Sequence, residues 1–241
     1  MRVDLAAGWQ VGLFLAAKLV RIWLFYLILQ QVMSKVDTLG GYSGPQVILI
    51  YFTFVLVNTL SQMLFRGVYH FRNIVLSGGL DGLMLRPVSL LFQSLMLYPD
   101  VYDLLTLVSV AWWSRQIIVS TPEWHWWAYW WMVLVGLVYL AAWNVLSLAW
   151  SLRTDEFSPI MIFRQVFKLG RHPLTVYPRG LQWGLTYLVP VWVSVMAPVA
   201  AAGGQLRLST AIYLVGGGVV VWWLAVKIFY HSLQNYCSAS S

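Results

Sequence analysis

Charge is scarce in this chain: 8 Asp and Glu and 15 Lys and Arg among 241 residues, 10% in all. A soluble domain carries roughly 25%. With 60% of residues hydrophobic and a mean hydropathy of +0.72, too little polar surface is left to keep a folded monomer in water. That excludes a soluble domain with a large core. Cysteine is nearly missing as well; Cys237 alone cannot form an internal disulfide. No Gly-x-x-x-x-Gly-Lys-Ser/Thr stretch occurs, so these residues contain no phosphate loop. Dense basic clusters are also lacking, and a net charge of +7 spread this thinly excludes a nucleic-acid footprint. It suits anionic lipid head groups instead. The N-terminus is no clean signal peptide: Asp4 and Lys18 bracket an apolar stretch with no small-residue cleavage site after it.

What the chain has in abundance is apolar length and aromatic rings. Its 15 tryptophans fit a membrane protein, because amphipathic rings collect at the bilayer interface. Crossing the hydrocarbon takes about 20 helical residues. Six stretches qualify, about 19–36, 46–65, 94–114, 126–150, 182–202 and 208–230. The expected fold is an all-α integral membrane protein of six transmembrane helices, with residues 1–241 as one domain. Residues 4–17 read as a short helix lying in the interface, set apart from the first span because Lys18 and Arg21 are expensive inside a bilayer. Placing both termini in the cytoplasm puts 12 of the 15 basic residues inside, as the positive-inside rule expects. Residues 66–93 and 151–181 are then cytoplasmic. The tryptophans of "WW" at 112–113 and "EWHWWAYWW" at 123–131 form an outer aromatic belt.

The inner stretch "SGGLDGLMLRPVSLLFQ" at 77–93 interrupts this oily pattern. An amphipathic helix over 66–76 ends at Gly78 and Gly79, Asp81 caps a short helix, and Pro87 stops it or starts the next. The product is a kinked, partly apolar tip whose leucines need a lipid or protein partner. In the fifth stretch, Pro190 and Pro198 each remove a backbone donor, marking either a helix break or an ordinary kink. Asp100 and Asp103 lie one turn apart and read as structural partners of Arg66, Arg72 or Arg153. Gly41-Tyr42-Ser43-Gly44 contains the Gly-x-Ser-Gly pattern of six-span intramembrane serine proteases, with Ser43 as nucleophile. A helix-opening turn before Pro45 is the simpler reading, since His70, His172 and His231 fall on the opposite side and only His125 shares that of Ser43.

The pattern Gly78, Asp81, Met84, Arg86, Pro87, with Leu83 and Leu85 in place, lies between the second and third spans and resembles the permeases of ABC-2-type exporters, in particular a bacterial subfamily carrying "LLRP" where this chain has "LMLRP". "GGYSGPQVILIYF", "YPRGLQWGLTYLVPVWVSVMAPVAAAGG" and the ending "HSLQNYCSASS" agree, so the resemblance runs along essentially the whole chain. It implies that Leu80, Asp81, Leu83, Leu85, Arg86 and Pro87 form or brace a coupling helix seated in a separate ABC ATPase subunit, where ATP and Mg are bound. It implies a second permease chain, identical or homologous, each forming half of a translocation pathway in a bacterial plasma membrane. It further implies an outer gate at the Pro190–Pro198 region, while the apolar, aromatic interior fits an amphipathic cargo, such as a lipid, peptide or drug. The competing classes are the serine protease and a non-catalytic membrane assembly protein.

Overall fold

The structure, a computed structural model, describes residues 2–153 and 159–234, with side chains from Trp9 onward. Cys237 and the tail motif around it lie outside the described residues. Helices make up nearly all of the rest. Hydrocarbon offers no water, so each backbone N–H and C=O has to be satisfied within its own segment.

α1 (Arg2–Met33) runs antiparallel to α2 (Gly44–Leu64), with Met33 packed against Gly44. Between them β1 (Thr38–Leu39) and β2 (Tyr42–Ser43) form a small hairpin. It turns on Gly40 and Gly41, both at a positive φ that a side chain would strain. α2 continues almost straight into α3 (Gly67–Leu76), followed by α4 (Leu80–Met84) and α5 (Leu90–Met96). α6 (Leu104–Ser120) then returns along α2, and α7 (Trp126–Ser151) and α11 (Leu208–Gln234) pack against one another. The bundle thus has a hairpin end, where Gly44 and Trp126 begin their helices, and an elbow end holding α3 to α5. Both termini of the described chain lie toward the elbow end: the tilted Phe229 ring of α11 meets Phe71 of α3, and α1 starts at the far end from Met33, which packs at Gly44.

Three features depart from the expected layout. First, residues 4–17 are not a separate interfacial helix but the start of α1, which has no break at Lys18. A 32-residue helix is about 48 Å long against roughly 30 Å of hydrocarbon, so its first turns overhang the elbow end. Lys18 is tolerated because its Nζ donates to Asp103 at 2.6 Å, a pair with side chains only 14% and 9% exposed. Breaking such a pair strands a charge. Asp103→Asn is expected to destabilise the chain by about 3 kcal/mol in a denaturing-detergent titration, while Lys18→Met with Asp103→Leu restores most of the loss. Second, the third stretch is not straight from 94 to 114. Leu90–Met96 and Val101–Ser120 meet at 58°. Pro99 sits in the break, where it keeps Tyr98 out of helical geometry (φ 60°). Arg66 and Asp100 form an ion pair across that corner.

Third, the fifth passage is made by residues 159–176 and not by 182–202. α8 (Pro159–Phe167) begins at the elbow end, where Phe163 meets Trp143 and Arg164 lies over Tyr69. Phe167 and Gly170 then reach Phe54, halfway along α2. A 3-10 turn (Lys168–Arg171) follows, and Thr175 donates to the Gly40 carbonyl of the hairpin at 2.5 Å. Nine α residues, four 3-10 residues and a short extended run add up to about 30 Å, enough to cross. Length alone hides this segment, because its helix is too short to look like a span. Residues 151–181 are therefore not one surface loop.

α9 (Arg179–Leu188) and α10 (Trp192–Ala202) instead form a pair bent by 80°. Chain entry at Thr175 lies beside Gly40, and chain exit at Ala202 accepts from the His125 N–H, with Gly203 close to Gln46. Both flanks sit at the hairpin end, so the pair is re-entrant.

Candidate coupling elbow and re-entrant wedge

The elbow is built to be stiff. α3 ends where the Gly79 N–H reaches the Ile74 carbonyl and Gly78 adopts φ +72°. Gln93 of α5 staples the far side, donating to the carbonyls of Leu83 (3.2 Å) and Val88 (2.7 Å). The Ser89 hydroxyl caps α5 by accepting from Phe92 N–H. α3 and α5 approach so closely at Gly67 that any Cβ there would strike the Ser94 and Leu95 carbonyls. Below this lies an apolar floor of Val68, Phe71, Leu90, Leu91 and Leu95.

Burial divides the predicted site residues into two groups. Leu80 and Leu83 are 0% and 6% exposed, so they anchor α4 to the chain's own core and are not available to fill a partner's cleft. Their spacing of three puts them on the inner face of α4. Leu85 is 87% exposed, and Arg86 and Pro87 are exposed beside it. Asp81 is half-buried in the first turn of α4, where a carboxylate favours the helix N-terminus. The presented surface is therefore Met84, Leu85, Arg86, Pro87 and Val88, with Phe92 next to it. Val88 and Phe92 are the members that the motif alone does not single out.

Pro190 stands at the break of the re-entrant pair, where Val189 N–H bonds the Gly184 carbonyl and the helix does not continue. Pro198 breaks nothing. It lies inside α10, whose preceding residues Trp192–Met196 are wound as a π-helix. That wider turn accommodates the missing donor. The tip of the wedge reaches mid-bundle: Val191 lies against Gly170, and Gly136 of α7 touches the Ser194 backbone while its carbonyl accepts from the Ser194 hydroxyl at 3.2 Å.

Other sequence candidates are structural. Asp100 and Asp103 pair with Arg66 and Lys18; Arg66 was among the expected partners and Lys18 was not. Ser43 precedes α2, its N–H bonded to Gln46 Oε1 at 3.0 Å, with Pro45 in the first turn. Among the described residues no histidine hydrogen-bonds Ser43, and His125 instead stacks on Trp127. The aromatic belt is in place at the hairpin end, with Trp126, Trp127 and Trp131 exposed along α7.

No curated protein and no solved structure matches the sequence. A family description does: residues 15–240 match that of the ABC-2 family transporter protein, from the fourth turn of α1 to the last residues of the chain. The match takes in the elbow, the crossings and the wedge together, and on it this chain belongs to the ABC-2 transporter family.

Proposed function

We propose that this chain is the membrane-spanning permease subunit of an ATP-driven exporter, coupled through its elbow to a separate ABC ATPase that binds ATP and Mg. Family membership supports a transporter membrane subunit with an ABC ATPase partner. The observation that carries the finer reading is the exposed Met84–Val88 edge on a stapled, glycine-bounded elbow. A rigid tip passes on a domain closure that a loose loop would absorb. The elbow end faces the cytoplasm in this reading, as do both termini, and the wedge closes the outer half of the path. A second permease chain completes the path, and the exposed faces of α1 and α11 are left for that chain or for lipid. The chain sits in a bacterial plasma membrane and moves amphipathic cargo outward.

Sidedness is tested by replacing Arg86 with Cys in a Cys237→Ser background. A membrane-impermeant maleimide is expected to label it only after cells are permeabilised. Labelling of intact cells refutes the coupling role.

A further inference from the structure

The fifth crossing carries a line of basic residues that make no ion pair with another described residue. Arg164, Lys168 and Arg171 follow one another at steps of four and three. The first step is one α-turn; the second falls in the 3-10 turn, where residues three apart eclipse. The three side chains therefore share one face. Beside it runs the buried stripe of Phe163, Phe167, Gly170 and Leu174, which packs the segment into the bundle.

The line climbs from the elbow end to the middle of the membrane. The Arg164 guanidinium is 4.7 Å from the Tyr69 ring, beyond the end of α2. That of Arg171 is 5.7 Å from the Phe54 ring. Phe54 stands ten residues from each end of α2, about 15 Å from either surface of the span. Arg21, exposed on α1 one residue before the carbonyl that accepts from the Tyr51 hydroxyl, adds a fourth cation near that depth.

No ion pair among the described residues explains the line. The ion pairs among the described residues are Lys18–Asp103 and Arg66–Asp100. Lys168 donates to Gln165 Oε1 at 2.8 Å and Arg171 Nε to the Lys168 carbonyl at 3.1 Å, both neutral acceptors. The positive-inside bias explains a basic residue at the rim, hence Arg164, but not a guanidinium at the midplane. Such residues are costly in a bilayer and mark ion or substrate routes. Arg offers a planar fork that grips phosphate or carboxylate, and Lys between two such forks is a mobile point charge that hands an anion from one to the next. Met161 and Ile162 leave exposed apolar surface alongside.

We infer that Arg164, Lys168 and Arg171 form an anion ladder from the elbow end to mid-membrane, selecting cargo with a phosphate or carboxylate head on an apolar tail. The inference rests on the permease reading above and narrows its substrate class.

The test uses the purified full-length chain in nanodiscs of zwitterionic lipid, titrated with dodecyl phosphate and with dodecylphosphocholine. Dodecyl phosphate should bind at least about ten-fold more tightly, since charge-assisted hydrogen bonds are the strong ones. Lys168→Gln with Arg171→Gln should bring the two ligands to parity, and Lys168→Arg should retain the preference. Because the Lys168 side chain is exposed, Lys168→Gln alone keeps the fold and still loses several-fold. Inorganic phosphate should compete only at far higher concentration; competition at equal concentration means a free-anion site and overturns the amphiphile assignment. Equal affinity for the two ligands in the unaltered chain overturns the ladder itself. Binding needs no ATPase, so an ATPase that fails to associate sinks the permease reading without moving this result.

Discussion

Replacing Leu85 with Asp, or Arg86 with Glu, is expected to cut stimulation of the partner ATPase at least about ten-fold while leaving the permease's own thermal unfolding unchanged. Leu85 is 87% exposed and contributes nothing to the chain's own core, so its loss is felt only where a partner covers it. Well-packed interface anchors cost about 2 kcal/mol or more when lost, roughly 30-fold in affinity, which exceeds the ten-fold threshold set here. Leu80→Asp gives the opposite pattern. Leu80 is fully buried, and an unpaired carboxylate in its place destabilises the chain itself, by several kcal/mol. Measured together by ATPase assay and by melting of the purified chain, the two variants separate the tip that touches from the floor that holds it. Unchanged stimulation with Leu85→Asp removes the elbow from the coupling mechanism.

The second large effect is expected at the wedge. A Cβ on Gly136 would lie 2.7 Å from the Ser194 Cα and 3.2 Å from the Val193 carbonyl oxygen, backbone atoms that cannot rotate away. Gly136→Val should therefore push α10 off α7, with a loss of about 3 kcal/mol and of transport. At Gly170 the obstacle is the Val191 side chain, 2.6 Å from an added Cβ, which has some freedom to turn; Gly170→Ala is expected to cost less. Gly216→Ala is the control. Nothing lies within 4 Å of it in α11, so the change is neutral or slightly stabilising by helix propensity. A chain that tolerates Gly136→Val without loss has no tightly seated wedge.

The sequence made the helical membrane fold plain because apolar length and scarce charge leave few alternatives. α2, α7 and α11 are uninterrupted runs, and a hydropathy reading locates such runs well. It fails where hydropathy and passage come apart. Residues 159–176 cross with a nine-residue helix, a 3-10 turn and three basic residues, so they look like a surface loop. Residues 182–202 are apolar enough to span, yet Pro190 folds them back. Lys18 misled for a related reason: a lysine penalises a span only when unpaired, and its partner Asp103 lies 85 residues away. At the elbow, motif reading found the segment but not its inside and outside, because Leu80, Leu83 and Leu85 differ in packing and not in chemistry.

The depth of Arg171 has an electrical consequence. An anion held beside Phe54 has traversed about half of the membrane's insulating thickness. With the cytoplasm negative, completing the journey outward is downhill by about 1 kcal/mol per negative charge for each 100 mV. On the export reading proposed above, the resting voltage itself would help discharge an anionic cargo.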